Sequence, residues 1–211
     1  MSKNFSTSCS SREDLPWEGT GASLDISGCR FSLYPMTDDF ESQILNALKT
    51  TDTSKVWSHS DALSTVYRGK LIHVIDAVTG LFINAYKEDI HMSLEGQLSK
   101  GCPGDMDGDS FLSEDDNKVN FNAVKNIEFP VICKIALYPL GKGEYIEDIA
   151  HVFRMAQQEG LKPQIIHYAT RIQGDVHKVF EYLESVCRYC SQNVSHYVLT
   201  FTLSVNSPTE E

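Results

Sequence analysis

The chain has 211 residues and a formal charge of -11, with 29 acidic residues against 18 basic ones. Its hydrophobic share of 41 % and charged share of 22 % are ordinary for a globular protein with a sizeable core. The negative charge disfavours nucleic acids and anionic membrane surfaces, which recruit Lys and Arg, and it suits a cationic small ligand.

The first segment, residues 1–28, is rich in Ser, Gly and acidic residues and shows no apolar period. These features predict a flexible tail with Trp17 as its only anchor. The segment lacks the apolar core of a signal peptide, and no later run approaches the roughly 20 residues of a membrane span. We therefore expect a cytoplasmic protein without membrane insertion, in which the six cysteines stay reduced.

An internal repeat dominates the rest of the chain. Leu33 and Leu137 are 137 - 33 = 104 residues apart within the twin phrases "FSLYPM" and "IALYPL". The segments "HMSLEGQLSKGCP" and "HYVLTFTLSVNSP", starting at His91 and His196, align at an offset of 105, as do "LSTVYRG" and "YATRIQG". Matching blocks at nearly one offset predict two copies of one unit, residues 29–103 and 129–211.

Each copy shows the same order of elements. A first strand ends at Tyr-Pro, an amphipathic helix follows, two short extended pieces come next, and a second helix precedes a last alternating strand. The extended pieces are predicted at Lys55–His59, Ala62–Arg68, Leu161–Ile165 and His167–Gln173. This β-α-β-β-α-β order is the ferredoxin-like unit of the α+β class. We expect two antiparallel sheets with helices on one face, their free faces packed together or against a second chain.

Residues 104–128 form an acidic linker between the copies. Asp105, Asp107 and Asp109 suggest the start of a calcium loop, but Ser110 stands where the sharp turn needs glycine. Asp116 also replaces the bidentate glutamate, so a solvated linker is favoured over a calcium site.

The cysteines and histidines give little evidence of chemistry. Cys187 and Cys190 form a CxxC without a second ligand pair, which favours half-buried helix positions over a zinc site. His91 and His196 are equivalent in the two copies and predict a repeated structural hydrogen bond. His167 is predicted near the sheet centre, where it could contact a ligand or fill the core.

Other side chains are better candidates for binding. Tyr34 and Trp57 are predicted on strands, where aromatic rings can line a pocket for a flat ligand. Neighbouring Ser64 and Thr65 must point to opposite faces of their strand. Thr65 matches Thr170 in the second copy, whereas Ser64 matches an alanine.

Several long motifs, in order, closely resemble the YkoF family of bacterial thiamine/hydroxymethylpyrimidine-binding proteins. They are "RFSLYPMTDDF", "TDTSKVW", "STVYRG" and "GCPGD", followed by "NSP" near the end of the chain. The resemblance runs from about Gly28 to Pro208. It implies tandem ferredoxin-like repeats, a homodimer and one site per repeat for thiamine or its hydroxymethylpyrimidine (HMP) half. It also implies a role in thiamine-precursor uptake or salvage, alongside an energy-coupling-factor transporter and without catalysis.

The resemblance also implies binding positions on the first strand and at the Ser-Thr pair of the third strand. In the first copy these are Ser32 or Leu33, with Ser64 and Thr65. In the second copy they are Ala136 or Leu137, with Tyr138 beside them, and Ala169 with Thr170. Because two hydroxyls of the first copy are absent from the second, we expect two sites of unequal affinity.

The sequence therefore predicts a non-enzymatic binding protein for thiamine or HMP, with no further cofactor. Ser64 and Thr65 are the leading polar contacts. One alternative is an ACT-like allosteric sensor of an amino acid, since such sensors use a similar duplicated fold. The other is a thiamine-processing enzyme with a cysteine nucleophile, although no cysteine has a convincing base partner.

Overall fold

A computed structural model describes residues 25–101, 107–141 and 143–209 of the chain. Within these ranges the eight strands are β1 (Ser27–Pro35), β2 (Trp57–Ser60), β3 (Thr65–Gly69), β4 (Met92–Lys100), β5 (Pro130–Leu140), β6 (Gln164–Ile166), β7 (Ala169–Asp175) and β8 (His196–Val205). The helices are α1 (Phe40–Thr50), α2 (Leu71–Ala85), the short α3 (Phe121–Val124), α4 (Ile146–Gln158) and α5 (Val176–Asn193), with a 3₁₀ turn at Asp109–Ser113. None of the described helices combines the length and the apolarity that crossing a bilayer requires.

The two repeats share one sheet. Its strand order is β2-β3-β1-β4-β8-β5-β7-β6, and every neighbouring pair is antiparallel. The ferredoxin-like unit is confirmed in each half, but the expectation of two separate sheets is wrong. The last strands of the repeats, β4 and β8, pair along eight residues from Met92↔Val205 to Ser99↔Val198. This pairing satisfies two strand edges that would otherwise be exposed.

Side-chain alternation places the core on the helix side of the sheet. Cys29 and Phe31 are buried while Arg30 between them is exposed, and Cys133 and Ile135 flank the exposed Lys134 in the same way. A single hydrophobic cluster runs through both repeats. We call the opposite side, which carries Arg30 and Lys134, the free face.

The side chains along the pairing of β4 with β8, which we call the joint between the repeats, are tightly packed. The Phe201 ring of β8 lies against Gly96 of β4, where a β-carbon would come within 2.5 Å of it. His91 also crosses the joint, with its Nε2 3.1 Å from Ser204 Oγ. The expected repetition of this bond is not seen, because His196 makes no side-chain hydrogen bond within the described part of the chain.

The Tyr-Pro signals mark the first strands but not always their ends. β1 begins earlier than expected, at Ser27, and ends at Pro35, whereas β5 continues through Pro139 to Leu140. Pro139 is tolerated because it pairs with Tyr197 of β8 on one side only, at a position where β5 has no neighbour on the other. The third strands also begin later than predicted, at Thr65 and Ala169, because tight turns precede them.

The connector docks on the first repeat and is not a freely solvated linker. Lys55 Nζ bonds Asp115, and Lys70 Nζ lies 3.0 Å from an Asp116 carboxylate oxygen. Asn120 donates its main-chain N–H and side-chain Nδ2–H to buried Asp76, at 2.8 and 3.0 Å. Asp105 of the candidate calcium loop lies outside the described residues, and no metal-binding cluster forms among the residues that the structure describes.

Candidate functional site

Each repeat leaves part of its first strand open on one side. β3 pairs with β1 only as far as Phe31↔Thr65, and β7 pairs with β5 only as far as Ile135↔Thr170. Both first strands continue for several residues, paired on their other side with β4 or β8. We call the segments Leu33–Pro35 and Leu137–Pro139 the open edges. They are the Leu-Tyr-Pro phrases of the sequence.

The main chain of one leucine in each repeat faces this opening. In an antiparallel strand, the N–H and C=O of one residue point to the same side, and the side alternates along the chain. Ala136 O and Leu140 O accept from Thr200 and Ser195, so even-numbered residues of β5 face β8. Leu137 therefore directs its N–H and C=O toward the open side.

The first repeat follows the same alternation. Met36 N donates to His91 O at 2.9 Å, on the β4 side of β1. Counting back along the strand, Leu33 directs its main-chain groups toward the open side, while the main chain of Ser32 faces β4. Among the described residues, the N–H and C=O of Leu33 and of Leu137 therefore have no strand partner, at equivalent places in the two repeats.

In the second repeat the open edge borders a cavity of about 850 Å³. Ile146, Ile149 and Phe153 of α4 form one wall, and the β6–β7 hairpin forms another. Tyr168 at the tip of this hairpin is 98 % exposed and Ile165 is 83 % exposed. Such large apolar side chains in water around a concavity are typical of a binding surface.

One threonine hydroxyl lies beside each open edge. Thr65 and Thr170 are half-buried and, by register with buried Phe31 and Ile135, point to the helix side of the sheet. Thr65 Oγ1 lies 2.8 Å from Ser60 Oγ. Register places Ile165 where Ser60 stands, so Thr170 has an apolar neighbour instead.

The two predicted serines are on the other face. Ser32 Oγ donates to Leu63 O at 3.0 Å, and Ser64 Oγ accepts from Arg30 Nη1 at 2.7 Å. Both line a hollow of about 440 Å³ on the free face. The structure therefore brings Leu33 together with Thr65 on the helix-covered face of the sheet. It brings Ser32 together with Ser64 on the free face.

The predicted aromatic and histidine positions are dispersed. Tyr34 and Tyr138 are half-exposed on the free-face side of the open edges. Trp57 pairs with Arg68 at the far end of β2 and stacks on His59, with centroids 5.9 Å apart, so it lies away from the open edge. His167 is exposed in the turn between β6 and β7. Its predicted place near the sheet centre is wrong, because that hairpin forms the outer edge of the sheet.

Sequence reasoning missed the walls of the repeat-two cavity. Tyr145 and Ile149 belong to the apolar pattern of the amphipathic helix predicted after the first strand of the second copy. Such a pattern indicates burial in the core, yet these side chains are 47 % and 38 % exposed. Tyr168 adopts a positive φ of 67°, which is uncommon for an aromatic residue. The sequence feature that could have indicated this wall is the aromatic Tyr168 between two short extended segments.

Comparisons with known proteins agree with the duplication. The model of the YKOF-related family matches residues 26–105 and again residues 130–210. A relative from Bacillus subtilis (strain 168), named "Putative HMP/thiamine-binding protein YkoF", is 45 % identical over 186 residues, covering 88 % of this chain and 93 % of the relative. With two matches of the family model and an alignment over nearly the whole length of that relative, the chain belongs to the YKOF-related family.

Proposed function

We propose that this protein binds thiamine or its HMP moiety, without catalysis, at the open edge of each repeat. The observation that carries the proposal is the juxtaposition of an unpaired leucine main chain, a threonine hydroxyl and, in repeat two, an apolar cavity. The name of the Bacillus subtilis relative supports the ligand class.

The chemistry of an aminopyrimidine suits this edge. Its ring nitrogen accepts a hydrogen bond and its exocyclic amino group donates one, which complements a leucine N–H and C=O on one side of a strand. The adjacent Thr65 or Thr170 hydroxyl can bond a further ring position. Apolar side chains can pack against the flat ring. The aromatic rings of Tyr34 and Tyr138 and the net charge of -11 are both compatible with the positive charge of a thiazolium.

The two sites should differ in affinity. In repeat one, the Ser60 hydroxyl accompanies Thr65, whereas Ile165 accompanies Thr170 in repeat two. Repeat one therefore offers an extra polar partner, and repeat two offers more apolar area. The sequence-based expectation of unequal sites relied on Ser32 and Ser64, which lie on the free face, whereas the difference proposed here relies on Ser60 and Ile165.

Calorimetric titration with thiamine and with HMP tests the proposal. We expect two classes of site, with Thr65→Val weakening one and Thr170→Val the other by roughly three- to tenfold, as expected for one lost hydrogen bond. Thr202→Val is the matched control, because Thr202 lies on the free face. No saturable heat with either ligand at millimolar concentration would refute the proposed function.

An enzymatic role has little support from the described cysteines. Cys29, Cys133, Cys187 and Cys190 are all buried, and burial raises the pKa of Cys133, Cys187 and Cys190 to about 12. A protonated, inaccessible thiol is a poor nucleophile. The sensor alternative predicts thermal stabilisation by an amino acid and none by thiamine.

None of the described elements packs over the free face, which supports a homodimer as part of the same proposal. A sheet backed by helices on one side commonly covers its other side with a second layer. Sedimentation velocity would distinguish a dimer from a monomer. We further propose a cytoplasmic role in uptake or salvage of thiamine precursors beside an energy-coupling-factor transporter, which co-purification with such a transporter would test.

A further inference from the structure

A hydrogen-bonded tie holds the β2–β3 turn of repeat one against β1. Arg30 Nη1 donates to Asp61 Oδ2 at 3.2 Å and to Ser64 Oγ at 2.7 Å. The other carboxylate oxygen, Asp61 Oδ1, accepts from the main-chain N–H of Leu63 at 2.8 Å and of Ser64 at 2.9 Å. Ser32 Oγ adds a bond to Leu63 O. Each residue of the turn from 61 to 64, except Ala62, is thereby bonded within the tie.

The contacts of this tie favour the ionised form of the Asp61 carboxylate, which accepts from Arg30, Leu63 and Ser64. The main-chain N–H groups of Leu63 and Ser64, followed by the Arg30 guanidinium, lower the pKa of Asp61 below its usual range. Because Asp61 is exposed, its ion pair with Arg30 alone would contribute little. The geometry of the turn, in which one side chain accepts two successive main-chain donors, is what fixes the conformation.

Repeat two contains none of these groups. Register and the offset between copies place Lys134 at the position of Arg30, and Ile166 at that of Asp61. Two alanines, Ala136 and Ala169, replace the serines. The corresponding turn is formed by His167 and exposed Tyr168, and no side-chain bond ties it to β5 within the described residues.

The tie acts on the proposed site from the opposite face of the sheet. Ser64 immediately precedes Thr65, and Asp61 immediately follows Ser60, so the tied turn connects the two hydroxyls that lie 2.8 Å apart beside the open edge. A turn held in one conformation removes the entropy that ordering it on binding would cost. A turn without such bonds, like the β6–β7 turn of repeat two, must lose this entropy when the ligand binds.

We propose that Arg30 and Asp61 are positioning residues that pre-organise the repeat-one site and make it the tighter of the two, while the untied turn of repeat two adapts to its ligand. This inference rests on the proposed binding of thiamine or HMP at the open edges. It adds to the difference between Ser60 and Ile165 a contribution from side chains that do not touch the ligand.

The experiment is two-site calorimetry with thiamine in a Thr170→Val background, which weakens repeat two. Asp61→Ala removes both the charge and the acceptor of the turn, and should weaken repeat-one binding about tenfold. Asp61→Asn keeps an oxygen that can accept from Leu63 and Ser64, and should recover most of that loss. Lys134→Met is the matched control at the equivalent place in repeat two and should leave repeat-one affinity unchanged.

Three readouts separate positioning from general damage. Thermal unfolding and sedimentation of the Asp61 variants should match those of the Thr170→Val parent. Amide hydrogen exchange at Leu63 and Ser64 should become faster in Asp61→Ala and stay slow in Asp61→Asn. The calorimetric entropy of binding should become less favourable only in Asp61→Ala.

Two results would overturn the inference while leaving the proposed function intact. The first is thiamine binding with an unchanged repeat-one constant in Asp61→Ala. The second is an equal loss in Asp61→Ala and Asp61→Asn, which would show that charge and not turn geometry matters. Absence of binding in the wild-type protein would instead refute the proposed function itself.

Discussion

Gly96→Ala should destabilise the protein by overfilling the joint between the repeats. Gly96 pairs with Phe31 on one side and with Phe201 on the other. A β-carbon there would lie 2.5 Å from Phe201 Cζ, 3.0 Å from Cε1 and 3.2 Å from Arg30 O. Phe201 is only 2 % exposed, so its ring cannot move aside into solvent.

The magnitude follows from two opposing contributions. Replacing glycine by alanine within a strand normally stabilises by roughly 0.5–1 kcal/mol. Overpacking a core costs about 1–3 kcal/mol, and a contact this short with a confined ring belongs in the upper part of that range. We therefore expect a net loss of about 1–2 kcal/mol, which for this chain length lowers Tm by roughly 3–6 °C.

Urea unfolding followed by circular dichroism measures this loss, and a double-mutant cycle assigns it. In a Phe201→Leu background the clash is relieved, so Gly96→Ala should become neutral or stabilising, with a coupling of about 1–2 kcal/mol. Gly143→Ala is the control, because a β-carbon there meets no atom within 4 Å. Equal stabilisation by Gly96→Ala in both backgrounds would refute the packing argument.

Three further outcomes are expected. Asn120→Ala keeps the main-chain donor to the buried Asp76 carboxylate but removes the Nδ2–H donor, together with the two bonds between the Asn120 amide and the Asp52 main chain. It should cost about 2–3 kcal/mol in urea unfolding. Lys125→Ala, on the exposed surface, should cost less than about 0.5 kcal/mol. Lys55 lowers the pKa of Asp115 to about 2. The contact between them therefore stabilises the docked connector above about pH 4, and this stabilisation is lost as the pH falls through about 2. An NMR titration of the carboxyl groups measures the pKa of Asp115, and an ordinary value would contradict this prediction. At pH 8, no more than two of the six thiols should react with a disulfide reagent before unfolding, because four are buried: Cys29, Cys133, Cys187 and Cys190.

The duplicated unit could be predicted from sequence because its evidence is periodic. Matching blocks at an offset near 105 are enough to establish the order of strands and helices in each copy. The joining of both repeats into one sheet could not be predicted in the same way. Alternation in β4 and β8 tells which face is buried, but it does not specify which edge meets which partner.

The candidate binding positions stay predictions, but the orientation of each side chain could not be predicted from sequence. The alternative of Ser32 or Leu33 could not be resolved from sequence, because the answer depends on which side of β1 has no neighbour. That depends on where β3 ends, and strand ends are set by turns such as the one Asp61 stabilises. The docking of the connector could not be predicted, because its lysine partners, Lys55 and Lys70, are distant in sequence. Without knowledge of these contacts, a run of acidic residues indicates a solvated linker.

A crystal structure of the thiamine complex tests the binding site most directly. The pyrimidine ring should bond the main-chain N–H and C=O of Leu33 and of Leu137, with the Thr65 and Thr170 hydroxyls within hydrogen-bond distance. Occupancy should be higher in repeat one at limiting ligand. Thiamine bound in the free-face hollow beside Ser32 and Ser64, with both open edges empty, would contradict the proposed site.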